Sequence, residues 1–223
     1  MVYGSILTDC VSQRPKCHWG YWGSNGLCSW RRLCTNQTAT SGDPLCGFEN
    51  PAFRPQIWNF TQQSLPIIEA SDALFPEIYL ESPLRDSGYS LFTIGYRRGE
   101  MRSVVGQAVA AGEVFGGRPV LPFIRTFCYM GTLGCYDKSR NSSAELSRWG
   151  VEAGLTVPYE VGAAGVVIYQ EQEAIKDPAE LAAQLKTVTG PIGLAFLERV
   201  RACAATRCSG HGRVSSQAIS RCL

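Results

Sequence analysis

Residues 161–170, Val-Gly-Ala-Ala-Gly-Val-Val-Ile-Tyr-Gln, limit the possible folds more than any other part of this chain. Val166, Val167 and Ile168 form an unbroken β-branched run, and Gly162 and Gly165 allow close packing just before it. Such a run, in place of polar/apolar alternation, predicts a parallel strand buried on both faces. It ends in an aromatic and an amide, Tyr169 and Gln170, followed by polar residues. In α/β proteins ligands gather at the carboxyl ends of parallel strands, which makes these two residues candidates for a site. An ordinary core strand capped by a tyrosine gives the same pattern, so the strand alone does not decide.

The surrounding sequence alternates strand and helix signals. Residues 74–80 (Leu-Phe-Pro-Glu-Ile-Tyr-Leu) predict a strand with Tyr79 near its carboxyl end. Residues 89–115 predict a helix, with Ile94, Met101, Val104, Val105, Ala108 and Val109 on one face. Its arginines, Arg97, Arg98 and Arg102, are expected on a solvated face. Gly116-Gly117 closes that helix. Residues 119–124 predict a second strand and 126–140 the loop after it. Ser142-x-x-Glu145 has the capping-box spacing and predicts a helix start. Asp177-Pro-Ala-Glu180 predicts another, with proline at the first helical position and an end near Val188, before Gly190-Pro191. A last helix is expected over 192–202. Upstream, 66–73 predicts a short helix, and 1–63 shows little helical period. Strand–helix repetition of this kind predicts an α/β fold with a parallel sheet or barrel.

Composition narrows the function. With 45% hydrophobic and 18% charged residues, the 223-residue chain has the makeup of a folded protein. A net charge of +2 and the lack of any basic run with interleaved aromatics argue against nucleic acid. Ten cysteines with only two histidines, His18 and His211, and no pair of C-x-x-C motifs favour disulfides over zinc. Neither metal nor cofactor is expected. Disulfides imply the secretory route, and sequons at Asn36, Asn59 and Asn141 agree. No apolar run reaches the ~18 residues of a membrane span. Residues 1–8 are too short and polar for a signal peptide, so the true amino terminus is expected upstream.

Several stretches together resemble the hyaluronidase family of glycoside hydrolases. They are residues 14–23 (Arg-Pro-Lys-Cys-His-Trp-Gly-Tyr-Trp-Gly), 74–80, 119–123 and 162–169, then Thr189-Gly-Pro and Cys203-x4-Cys208-Ser-Gly-His-Gly-Arg, in the family's order. The resemblance implies a partial (β/α) TIM-like barrel over 1–202, corresponding to the second half of the family's catalytic domain. A truncated, cysteine-rich EGF-like segment over 203–223 would follow. It further implies a secreted or lysosomal glycosidase acting on hyaluronan or chondroitin, with the amino-terminal half of the barrel as a partner.

The resemblance also assigns residues. Tyr79 matches the family's tyrosine lining the sugar site. Trp22 stands where the family has a tyrosine, and Tyr169 where it has a tryptophan, with Gln170 at the rim. Cys28 and Cys46 match a family disulfide, and Cys128 and Cys135 sit together in an insertion and are expected to pair. Val214 replaces the usual partner of Cys203, for which Cys222 is the candidate substitute, and Cys208 is also expected in a disulfide. The family's acid lies in an Asp-x-Glu motif that these 223 residues lack. Glu171-Gln-Glu173 is the nearest arrangement, and it follows the wrong strand. No catalytic residue is therefore assigned, and a non-catalytic glycosaminoglycan-binding protein on the same scaffold is the rival expectation.

Overall fold

The structure, a computed structural model, describes residues 48, 50–80, 91–127, 136–137, 142–143, 148–169 and 178–207. Its centre is a ladder of three parallel segments. The middle one carries β1 (Phe123–Ile124). On one side Leu74 pairs with Val120 and Glu77 with Phe123, both in parallel. On the other side β1 pairs in parallel with Val167–Ile168, the strand termed β4 below, with Phe123 opposite Val167 and Ile124 opposite Ile168. Backbone bonds bind the ladder together. Leu121 N–H donates to the Leu74 carbonyl at 2.8 Å, Phe123 N–H to Pro76 at 2.9 Å, and Tyr169 N–H to Ile124 at 2.9 Å. The prolines Pro76 and Pro122 supply carbonyls here, the one backbone role proline keeps.

Between these segments run long crossover helices, as parallel pairing requires. Counting from the first described helices, α1 is Arg54–Gln62, α2 is Leu65–Glu69 and α3 is Leu91–Val114. Next come a small antiparallel hairpin, β2 (Tyr136–Asp137) and β3 (Ser142–Ser143), and the helix α4 (Arg148–Glu160). After β4 the chain forms α5 (Pro178–Gln184), a π-helical turn (Leu185–Thr189) and α6 (Gly190–Arg207). The core lies between one face of the ladder and the helices. Leu74, Ile78, Val120 and Ile124 meet Met101, Val104, Val105 and Ala108 of α3 and Val151 and Leu155 of α4. α6 packs on α4, with Phe196 edge-on to Tyr159 at 5.5 Å.

Several expectations need correcting. The strand around 161–170 is not buried on both faces: Val166 and Val167 are half-buried and Ile168 is 45% exposed. Among the described residues β4 pairs with a strand on one side only. Gly162 and Gly165 do act as expected. Gly162 has φ +98° in the turn from α4 into the strand, and a Cβ on Gly165 would lie 3.3 Å from Leu121.

Ser142 does not open a helix. It pairs with Asp137 in the hairpin, and α4 begins at Arg148. A serine that caps in one context extends readily in another, because its hydroxyl competes for local backbone groups in both. Gly190-Pro191 does not end a helix either. The Gly190 N–H bonds back to the Leu185 carbonyl, a wide π-type turn, and α6 continues through Pro191. A widened turn relieves the clash between a proline ring and the preceding turn. Helix α1, within a region expected to lack helical period, is anchored by Asn50, whose side chain accepts from the Ala52 N–H at 2.9 Å.

The arginines of α3 are less solvated than expected. Arg98 and Arg102 both donate to the carboxylate of Glu160, at 3.0 and 2.6 Å, and Arg97 pairs with Glu100 at 2.7 Å. Glu160 ends α4, so this network ties two crossover helices together just before the chain enters β4.

Candidate functional site

Alternation along a strand sends successive side chains to opposite faces. Leu74, Pro76, Ile78 and Leu80 are buried, whereas Phe75, Glu77 and Tyr79 are half-buried. The first set faces the helices and the second faces away. The observed register then groups the outward-facing residues into rungs. Glu77, Phe123 and Val167 form one rung; extended by two residues, the same register puts Tyr79, Arg125 and Tyr169 on the next. That second rung lies at the carboxyl ends of all three segments.

Its geometry is compact. The rings of Tyr79 and Tyr169 have centroids 6.4 Å apart and planes only 24° apart. Their strands are not neighbours, and two strand spacings amount to ~9.5 Å. The rings therefore converge across the middle strand, as side chains do on the concave face of a curved sheet. Arg125 lies between them. Its guanidinium carbon is 3.9 Å from the Tyr79 centroid and 5.9 Å from that of Tyr169, within cation–π range of both. Phe123 closes the rung below, edge-on to Tyr169 at 5.8 Å and tilted against Phe75 at 5.7 Å.

Arg125 is 5% exposed. A buried guanidinium is seldom left without compensating contacts, and here ring faces provide some. Stacking uses the flat face of the group and leaves its N–H donors in the plane around the rim. Sequence reading passed over this residue. The available signal was an arginine directly after an apolar strand, two residues beyond Phe123 and so on the same face.

Of the sequence-derived site residues, Tyr79 and Tyr169 are brought into contact. Trp22, Gln170, Glu171, Glu173 and both histidines lie outside the described residues, as do Cys28, Cys46, Cys128, Cys135, Cys208, Cys222, Asn36 and Asn141. Cys203 is buried within α6, and its sulfur is in a disulfide. Asn59 is exposed on α1. Among the described residues no helix is long and apolar enough to cross a membrane, and no three His, Cys, Asp or Glu side chains group as metal ligands.

A groove lies on the helix side. Leu155, Tyr159, Ala163, Val166, Ile168 and Phe196 line an apolar groove of about 330 Å³ between α4, β4 and α6. With few polar groups in its lining, it offers shape and apolar surface and no chemistry.

The comparisons with known proteins follow the same lines. Residues 3–221 match the family described as hyaluronidase. No curated protein matches the chain. Among solved structures, bee venom hyaluronidase is similar, with a TM-score of 0.54 and 21% identity over 83% of this chain. The match covers 51% of that enzyme, so the chain spans about half its length. At that identity the likeness speaks for the fold, an α/β architecture whose described part is mostly helical. The family match, which runs nearly end to end, speaks for descent. The chain belongs to the hyaluronidase family of glycoside hydrolases.

Proposed function

We propose that this chain supplies one wall of the saccharide cleft of a hyaluronidase-type glycosidase, with hyaluronan or chondroitin as the ligand. The observation that carries this reading is the rung Tyr79–Arg125–Tyr169 at the strands' carboxyl ends. Sugar rings present apolar C–H faces that pack on aromatic rings, and Tyr79 and Tyr169 are only half-buried, with Arg125 stacked beneath to hold them in place. Trp22 and Gln170 extend the wall by resemblance.

Catalysis needs more. Glycoside cleavage requires a carboxyl group that protonates the leaving oxygen, held at a raised pKa in a sheltered site. The family's Asp-x-Glu is absent from these 223 residues. The chain by itself is therefore a binder, and hydrolysis would require the amino-terminal half of a barrel beside it. That absence also favours the second reading, a non-catalytic glycosaminoglycan-binding protein on the same scaffold.

The cysteines and sequons fit a secreted or lysosomal glycoprotein with an EGF-like end over 203–223, and Asn59 is exposed and accessible to a glycan. Titration calorimetry of the purified chain with hyaluronan oligosaccharides tests the wall. Binding should be measurable, and it should weaken at least about tenfold in Tyr169→Ala, the loss of one stacked sugar contact. A parallel reducing-end assay should show no cleavage. Undiminished binding by Tyr169→Ala would refute the wall; cleavage by the chain alone would refute the division of labour.

A further inference from the structure

Asn59 and Thr61 belong to one sequon but to opposite faces of α1. Successive helical residues are about 100° apart, so side chains two positions apart point about 200° apart around the axis. Asn59 is exposed, whereas Thr61 is 0% exposed and shares its face with the equally buried Ile57. The Thr61 hydroxyl is committed twice. It donates to the Ile57 carbonyl at 3.1 Å and accepts from the side-chain amide of Gln107 on α3 at 2.7 Å. Gln107 is itself fully buried, and Trp58 packs against the core beside this bond. A sequon is ordinarily expected on a surface loop, where its asparagine and its hydroxyl can face one enzyme together. Here the hydroxyl that the motif requires fastens α1 to α3.

We propose that Asn59 is a glycan-acceptor site open only before α1 docks on α3, with the Thr61–Gln107 hydrogen bond as the latch that shuts it. The inference rests on the secretory setting proposed above and not on the saccharide wall. In the transfer, the Asn59 amide nitrogen forms a bond to the anomeric carbon of a lipid-diphosphate oligosaccharide. The anomeric C–O bond breaks, the lipid diphosphate leaves, and the amide gives up one proton to solvent. An enzyme that holds the amide and the threonine hydroxyl together can bind Asn-Phe-Thr as a turn or extended segment, but not as a helix with its hydroxyl buried. The finished glycan meets no such obstacle, because Asn59 points from the exposed face of α1. The folded chain can therefore carry a modification that it can no longer acquire.

The experiment offers purified oligosaccharyltransferase and its lipid-linked donor three acceptors: the native chain, the chain unfolded by reduction and alkylation, and native Gln107→Ala. A short Asn-x-Thr peptide in every reaction reports enzyme activity, and mass spectrometry of the glycopeptide reads Asn59. The unfolded chain should be modified at least about tenfold faster than the native one, which reacts only through local opening. Native Gln107→Ala should react about fivefold faster than native wild type, the share of one buried hydrogen bond. Equal rates on the native and unfolded chains overturn the proposal, as does an unfolded chain left unmodified at Asn59 while the peptide reacts. A folded Gln107→Ala that reacts at the wild-type rate overturns the latch. If Gln107→Ala does not fold, the two wild-type acceptors decide alone. No residue of the rung takes part, so failure here leaves the saccharide wall standing, and calorimetry tests that reading separately.

Discussion

Ile124 and Arg125 are neighbours in sequence and belong to different parts of the molecule. Ile124 points to the helices, where a Cβ added to Gly154 of α4 would lie 3.5 Å from it, and it is 3% exposed. Arg125 points to the other face and rests on Tyr79. The same division recurs on β4, where Ile168 lines the helix-side groove and Tyr169 joins the rung. One face of the ladder is thus an apolar core sealed by α3 and α4. The other is a thin, aromatic and charged surface. The difference teaches that stability and ligand recognition are written into alternate residues of the same strands, so adjacent substitutions should separate them.

The largest effect is expected on the sealed face. Ile124→Ala removes a buried side chain at the junction of β1 and α4, and should cost about 2–5 kcal/mol. Urea unfolding should show a lowered midpoint with an unchanged slope. Any native protein that remains should still bind saccharide, because the rung is built from the opposite face. Loss of binding out of proportion to the loss of folded protein would break the comparison.

On the open face, Tyr79→Ala should act mainly on ligand. It removes the ring on which Arg125 lies, and binding of hyaluronan oligosaccharides should fall about tenfold or more, equivalent to ~1.4 kcal/mol or more. Its stability cost should be smaller than that of Ile124→Ala, because the ring is only half-buried. Calorimetric binding and a denaturation curve on the same preparation check both halves of the claim.

A second arginine setting sharpens the contrast. Arg98 and Arg102 are clamped by the carboxylate of Glu160, and they join α3 to α4. Both arginines are 34–37% exposed in their side chains, so screening reduces what the pairs contribute. Glu160→Gln should therefore lower stability by only about 1 kcal/mol and leave saccharide affinity unchanged. A fall in affinity comparable with that of Tyr79→Ala would mean that the helix clamp positions the rung, and that the two faces are coupled.

The sequence made the ladder legible because its strands are short apolar runs with β-branched or proline punctuation, and because Met101, Val104, Val105 and Ala108 of α3 recur at helical spacing and are buried. Tyr79 and Tyr169 could be placed at strand ends for the same reason. Arg125 and Glu77 could not be singled out, since their meaning depends on register: which residues share a rung is fixed by backbone pairing between segments over forty residues apart. Local signals failed where tertiary structure outvoted them. The capping-box spacing at Ser142 lost to a hairpin, and the break expected at Gly190-Pro191 was absorbed by one π turn. Nor could the exposure of Ile168 be read from its β-branched run, because a run of that kind describes a strand with neighbours on both sides, and β4 has one among the described residues.

The smallest effect is expected at that edge. Ile168 is 45% exposed, and Leu194 and Leu197 on the adjoining α6 are 65% and 45% exposed, so apolar surface continues from strand to helix. A strand edge beside such a surface invites pairing with another chain, and a charge placed there blocks it. Ile168→Lys should change the stability of the isolated chain by no more than about 0.5 kcal/mol, since a partly exposed position loses little on substitution. It should nevertheless lower the sedimenting or light-scattering fraction at high protein concentration, while saccharide binding through Tyr169 stays intact. If Ile168→Lys instead unfolds the chain, the edge is already covered within the monomer, and the distinction between a sealed face and an open edge of β4 fails.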